Sequence, residues 1–189
     1  MSAASCAVFL IVAFVLAGIA QTAWFASAAS RRFDVPLDGG LMLGGERLLG
    51  ANKTLRGFVV MVPAAAAAFA GLAYLTRGPA AAGLWPLSTP GYAWLGAAAG
   101  FGFMAGELPN SFVKRRLGIG PGALARGRWS GVLQFLIDRV DSGVGMLLAV
   151  SALSPTPALT WVLVLLIGPS IHWLFSVLMF HLGLKARPA

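Results

Sequence analysis

Asp138 and Asp141 stand three residues apart in FLIDRVDSGVGMLL, a segment that otherwise has the composition of a membrane helix. At that spacing two helical side chains share a face. Two carboxylates on one face with little water repel one another unless a cation lies between them. A divalent metal is the usual remedy, and oxygen ligands favour magnesium. The other use of such a pair is a structural ion-pair network with Arg139, Lys114 or Arg115. Ionisable groups inside a membrane are costly, and by default they mark functional sites. The stretch from Gly106 to Gly145 also carries Glu107, Asn110, Ser111, Lys114, Arg115 and Arg116, and it holds three of the six acidic residues of the chain. Glu107 is a further acidic candidate for the metal. The Lys114-Arg115-Arg116 cluster suits either phosphate groups or, as a topology anchor, lipid headgroups.

A second polar stretch, about residues 30–56, holds the other three acids, Asp34, Asp38 and Glu46. Its glycines, Gly39, Gly40, Gly44, Gly45 and Gly50, are followed by Asn52, Lys53, Thr54 and Arg56. Glycines ahead of Lys-Thr resemble a phosphate cradle, in which backbone N–H groups face the anion and a lysine adds charge. The Walker A spacing is absent. Leu41, Met42 and Leu43, between the glycine pairs, are placed to dip into the membrane interface. His172 reads as a helix histidine bonded to a neighbouring group. Neither a Ser-His-Asp set nor a CxxC pair is present.

The elements that must position these residues are membrane helices. The 189 residues are 58% hydrophobic and 11% charged, with a mean hydropathy of +0.82. That composition excludes an ordinary soluble domain. The spacing predicts an all-α, polytopic protein and one membrane-embedded domain over residues 1–189. Its five spans are about Ala3–Ala29, Gly57–Thr76, Tyr92–Leu108, Gly131–Leu153 and Ala158–Leu184, with polar loops at about 30–56 and 109–130. The net charge of +8 does not indicate nucleic acid, because the basic residues flank apolar spans. With the N-terminus outside and the C-terminus cytoplasmic, twelve of the fourteen Lys and Arg fall on the inner side. That is the positive-inside pattern. It places both polar loops, and the acid-bearing end of the fourth span, toward the cytoplasm. Arg31 and Arg32 follow the first apolar run and no basic residue precedes it, so it reads as a retained helix rather than a signal peptide. Cys6, the lone cysteine, reads as a small apolar helix residue.

Together these residues carry a family resemblance. Ser111-Phe112-Val113-Lys114-Arg115 followed by Asp138-Arg139-Val140-Asp141 resembles the S-x-x-K-R and D-R-x-D signature of the phosphatidate cytidylyltransferases. The chain is more similar to their CDP-archaeol synthase branch. That branch has P-[IL]-D-x-G (Pro36 to Gly40 here), R-x-x-G-x-x-K-T-x-R-G (Arg47 to Gly57), G-[DE]-x-x-x-S-F-x-K-R-R (Gly106 to Arg116) and D-x-x-D (Asp138 to Asp141). His172 and Leu182 to Lys185 also look like that branch's last helix. The resemblance implies transfer of a cytidylyl group from CTP to a lipid phosphate, with magnesium, in phospholipid biosynthesis. It implies catalytic roles for Lys114, Arg115, Asp138 and Asp141, with Asp138, Asp141 and Glu107 at the metal. Substrate contacts would come from Asp38, Asn52, Lys53, Thr54, Arg56, Asn110, Ser111 and Arg116. The expected partners are CTP, a lipid phosphate and the surrounding membrane lipids. A homodimer is left open, and the expected location is the cell inner membrane. The competing class is a small ion-coupled transporter or a lipid-binding membrane protein. Such a protein favours midplane charge and paired repeats. Here the acids gather at the cytoplasmic ends and no internal repeat is present.

Overall fold

The structure is a computed structural model, and it describes residues 1–76, 78–121, 123 and 127–185. Arg77, Arg126 and Arg187, counted above for topology, lie outside the described residues. Five α-helices carry the chain: α1 (Ala3–Ala26), α2 (Leu55–Thr76), α3 (Thr89–Arg116), α4 (Arg128–Leu153) and α5 (Ala158–His181). A helix satisfies its own backbone hydrogen bonds, which is what an apolar solvent requires of a spanning segment. α1, α2 and α5 are long and apolar enough to cross a membrane. α3 and α4 have 28 and 26 residues, ample length for a crossing at about 1.5 Å per residue, but they carry the charged residues.

Each helix packs on its sequence neighbours, and α5 closes against α1. The result is a ring of five helices. One end of the ring gathers the N-terminus, the α2–α3 connection and the α4–α5 turn. There the Ser2 N–H donates to Gly83 O (2.7 Å) and the Trp85 indole donates to Pro155 O (2.8 Å). The core is densest toward this end, where Phe9 meets Phe69 and Tyr92 with ring centroids 5.1 and 5.3 Å apart. Cys6 is fully buried there among apolar neighbours.

α3 packs most closely on its two neighbours in the ring, because its glycines let them approach. A Cβ on Gly96 would lie 2.5 Å from Ala65 O of α2, and one on Gly100 would lie 2.7 Å from Met61 O. On the other side Gly102 and Gly106 abut the backbone of Gly145 and Asp141 in α4. Small residues at such crossings are how membrane helices gain packing.

One expectation is corrected. The second polar loop is much shorter than 109–130. α3 runs through Pro109 to Arg116, so Asn110, Ser111 and Lys114 to Arg116 are helical, and α4 begins at Arg128. Pro109 removes one helix hydrogen bond, but packing on α4 and three cations at the negative end of the helix dipole carry α3 onward. The all-α class stands, with five helices and only minor extra structure between α1 and α2. The first loop has a 3₁₀ turn at Ala29–Phe33 and a small antiparallel hairpin, β1 (Met42–Leu43) and β2 (Glu46–Arg47). Gly44 and Gly45 turn it with φ of +59° and +83°, the left-handed pair that a two-residue hairpin needs.

Candidate active site

The half of the ring farther from the N-terminus encloses a cavity of about 910 Å³, lined from all five helices and from the 30–56 loop. Helical spacing decides what reaches it. Glu107, Asn110, Ser111 and Lys114 recur every three or four residues on α3, and Asp138, Asp141 and Ser142 do so on α4. All seven line the cavity. The contact of Gly106 with the Asp141 backbone brings the two faces together.

The acid pair is bridged. The Asn110 side-chain amide donates to Asp138 Oδ1 (2.6 Å) and to Asp141 Oδ2 (2.8 Å). The Lys114 ammonium donates to Asp138 Oδ1 at 2.7 Å. Lys53, arriving from the loop, forms an ion pair with Glu107. Burial alone would lower the Lys53 pKa, but Glu107, with Asp141 and Asp138 behind it, outweighs that and holds it above the ordinary lysine value. The Ser142 hydroxyl donates to Glu107 Oε1 (2.9 Å), and its N–H donates to Asp141 Oδ1 (2.7 Å). Asn52, Thr54 and Arg56 also line the cavity. Arg56 donates to Phe25 O and lies over the Phe25 ring, 4.7 Å from its centroid.

Three residues expected at the site are placed elsewhere, and none of them lines the cavity. Asp38 accepts from Arg47 and from the N–H groups of Gly40, Leu49 and Gly50 (3.1–3.3 Å). The Arg47 guanidinium, against burial and with help from those N–H groups, holds its carboxyl well below the usual range. The glycine-rich cradle is therefore filled by the chain's own carboxylate, not left open for a phosphate. Arg116 donates to the carbonyls of Leu43, Glu46 and Arg47 and so clamps the hairpin to α3. Arg115 is 4% exposed and packs beside Gly50. In each case a cation or acid close in sequence to the site faces the loop that carries Lys53, rather than the cavity.

Several polar cavity residues were not among the expected site residues, including Ser142, Arg139, His172, Ser176 and Lys185. Ser142 had a signal, since it lies four residues after Asp138 on the same face. Arg139 donates to Phe135 O (3.2 Å) and stacks on that ring, so it is not the partner of Asp138. The His172 Nδ1 is buried and has no hydrogen-bond partner among the described residues.

Among the described residues no three acids, histidines or cysteines gather closely enough to cage a metal. Glu107 is committed to Lys53 and Ser142 rather than joined to the aspartates. The Asp138–Asp141 pair still suits magnesium. Its oxygens converge on a single amide nitrogen, and that ion commonly takes one or two carboxylates and completes its shell with substrate phosphates and water.

The family model described as CarS-like, CDP-archaeol synthase, matches residues 6–188. The chain is 35% identical to the CDP-archaeol synthase of Methanopyrus kandleri over 156 residues, covering 81% of this chain and 79% of that one. It is 36% identical to the CDP-archaeol synthase of Halobacterium salinarum over 164 residues, covering 81% and 82%. A solved structure described as an intramembrane enzyme for archaeal membrane lipid biosynthesis superposes with a TM-score of 0.60 at 29% identity, over 86% of this chain and 89% of the other. The membrane helices, the cavity and these matches converge: the chain is an integral membrane protein of the CDP-archaeol synthase family, the CTP-dependent cytidylyltransferases of lipid biosynthesis.

Proposed function

We propose that the cavity holds CTP and a membrane lipid phosphate together, and that the whole chain acts as one catalytic domain. The observation that supports this best is the make-up of the cavity wall. Cations and carboxylates from α2, α3 and α4 line one part, and apolar side chains of α1 and α5, such as Leu10, Phe14, Ile171 and Phe175, line another. An amphipathic substrate and a polyanion need those two surfaces side by side.

A lipid phosphate oxygen attacks the α-phosphorus of CTP. The bond from that phosphorus to the bridging oxygen of the β-phosphate breaks, and pyrophosphate leaves with the electron pair. A phosphate monoester is already a competent nucleophile, so no serine or histidine need be activated. The remaining work is positioning and charge neutralisation. Lys114 and Lys53, each held by a carboxylate, are the cations that line the cavity beside the acid pair. Asn110 fixes the spacing of Asp138 and Asp141. Those two would hold magnesium, which when bound neutralises triphosphate charge. Ser111, Asn52 and Thr54 are the polar groups left for nucleotide contacts.

The proposed setting is the cell inner membrane, with all five helices crossing and the cavity open to cytoplasmic CTP. The test is purified protein with labelled CTP and a panel of diacyl, isoprenoid ether and polyprenyl phosphates, scored for CDP-lipid. One class is expected to dominate. No CDP-lipid from any of them, in folded and monodisperse protein, would refute the reading.

A further inference from the structure

The α5 wall of the cavity carries polar groups that the acid pair does not use. His172 and Ser176 lie four residues apart and share a face, and both line the cavity. Lys185 joins them by a turn at the end of α5. The Gly183 N–H donates to Phe180 O (2.9 Å), and the Leu184 N–H donates to Met179 O (2.8 Å). Gly183 takes φ +69°. That pattern of two bonds around a left-handed glycine reverses the chain at a helix end. The reversal carries Lys185 back into the cavity wall, where its ammonium donates to the Ser176 hydroxyl at 3.0 Å.

The charge state of the cavity cations sets Lys185 apart. Lys53 and Lys114 are paired with carboxylates. Arg56 and Arg139 lie on phenyl rings and donate to carbonyls. Among the described residues Lys185 holds only a neutral hydroxyl. One helical turn before Ser176, the His172 Nδ1 is buried without a partner. A buried polar atom left unpaired is costly, and it marks a place for a ligand or water.

We infer that Ser176 and Lys185, with His172 beside them, form a second anion subsite that takes the phosphate of the acceptor lipid. This rests on the proposed transfer reaction. That reaction brings two polyanions together, so each needs its own cation, and a phosphate gains most from a lysine not already neutralised. The surroundings favour the lipid over the nucleotide. Ile171, Phe175 and Met179 of the same helix line the cavity next to these groups, which offers a lipid's chains an apolar path that a nucleotide cannot use.

The test uses the full chain in detergent. Dioctyl glycerol phosphate and CTP are titrated separately by calorimetry, and CDP-lipid formation is followed in parallel. Lys185→Gln is expected to weaken binding of dioctyl glycerol phosphate about tenfold or more, the loss of one charge-assisted contact, and to raise its KM alike. CTP affinity should stay within about twofold. Lys185→Arg should restore most of the lipid affinity, which a purely structural contact to Ser176 does not predict. Ser176→Ala should give a smaller loss in the same direction, and it serves if Lys185→Gln fails to fold. Weakened CTP binding with unchanged lipid binding overturns the assignment. So does unchanged binding of both in each variant. Wild-type protein that makes CDP-lipid while its lipid affinity ignores Lys185 sinks the subsite and leaves the reaction standing. Wild-type protein that makes none, yet binds dioctyl glycerol phosphate through Lys185, does the reverse.

Discussion

At the scale of single residues the deciding group is Asn110, because its one amide nitrogen touches both aspartates. Two roles for Asp138 and Asp141 predict opposite variants. If they jointly hold a cation for the triphosphate, Asp138→Asn or Asp141→Asn should each lower CTP turnover about a hundredfold or more, the scale of losing one preorganised electrostatic group. The fold should tolerate either change, since an intramembrane charge is costly to keep. If instead Asp138 serves only as the partner of Lys114, its loss leaves a cation unpaired, and the protein should melt early while folded molecules turn over normally. Melting temperature and turnover on the same preparations separate the two. In the same assays Lys114→Ala and Lys53→Ala should lose turnover in detergent, where membrane orientation no longer matters. Near-normal activity in both would leave them as topology anchors. Of this site, Asp138 and Asp141 were legible from spacing, whereas Asn110, Ser111 and Lys114 came from the motif resemblance, because the stretch after Leu108 reads as a loop and only the structure puts them on one helical face with Glu107. Arg115 and Arg116 are not on that face. One residue further along a helix turns a side chain by about 100°, enough to face the loop instead of the cavity, and which face the loop would cover is a tertiary fact.

At the scale of elements, the site depends on two supports, the α3–α4 crossing and the loop that delivers Lys53. The crossing is set by glycine. A Cβ on Gly145 would lie 2.7 Å from the Gly106 Cα and would also collide with the Gly102 carbonyl. Gly145→Val should therefore force the helices apart, cost about 3 kcal/mol or more as overpacking against backbone, and separate Asn110 from the aspartates. A lower melting temperature with loss of activity checks this. The loop is organised by Asp38, buried at 3% exposure. Its folded pKa is depressed, so its stabilisation is present above the unfolded value of about 3.9 and is lost as pH falls through the folded pKa. Protease cleavage within 39–50 should thus stay flat from pH 8 to about pH 5 and rise only under strong acid. Asp38→Asn should open the loop at neutral pH by about tenfold or more, the loss of one charged hydrogen bond. A wild-type loop that loosens near pH 6 would contradict the assignment. The hydrophobic runs announced the five helices. What they could not announce was the length of α3, since its last turns hold no apolar run and are fixed by Gly106 against Asp141.

At the scale of the whole molecule, charge and architecture agree on two ends, but they do not weigh equally on every helix. The N-terminus, Gly83 and Pro155 lie together at one end. Glu46, Arg116 and Lys185 belong to the other, where the cavity lies. α1, α2 and α5 have the composition of spans, and α3 and α4 do not. That distinction matters for the test, because α3 and α4 form a pair. Whether both cross or neither does, the chain leaves and re-enters on the same side, and the two termini keep their places. A tag after Ala189 is therefore blind to the difference between five spans and three. The connection between α3 and α4 is the informative position, and Leu117 there is 68% exposed. In a Cys6→Ala background, Ala81→Cys marks the outer end, Glu46→Cys the inner end and Leu117→Cys the connection. With an impermeant thiol reagent on sealed cells, Ala81→Cys should label at once, and the other two only after permeabilisation. Early labelling of Leu117→Cys alone would put the α3–α4 turn on the outer side. It would then separate Lys114 and Asp138 from Lys53, and the cavity as drawn by Lys53–Glu107 could not exist in the membrane. Early labelling of both Glu46→Cys and Leu117→Cys, with Ala81→Cys protected, would keep the cavity intact but turn it away from cytoplasmic CTP.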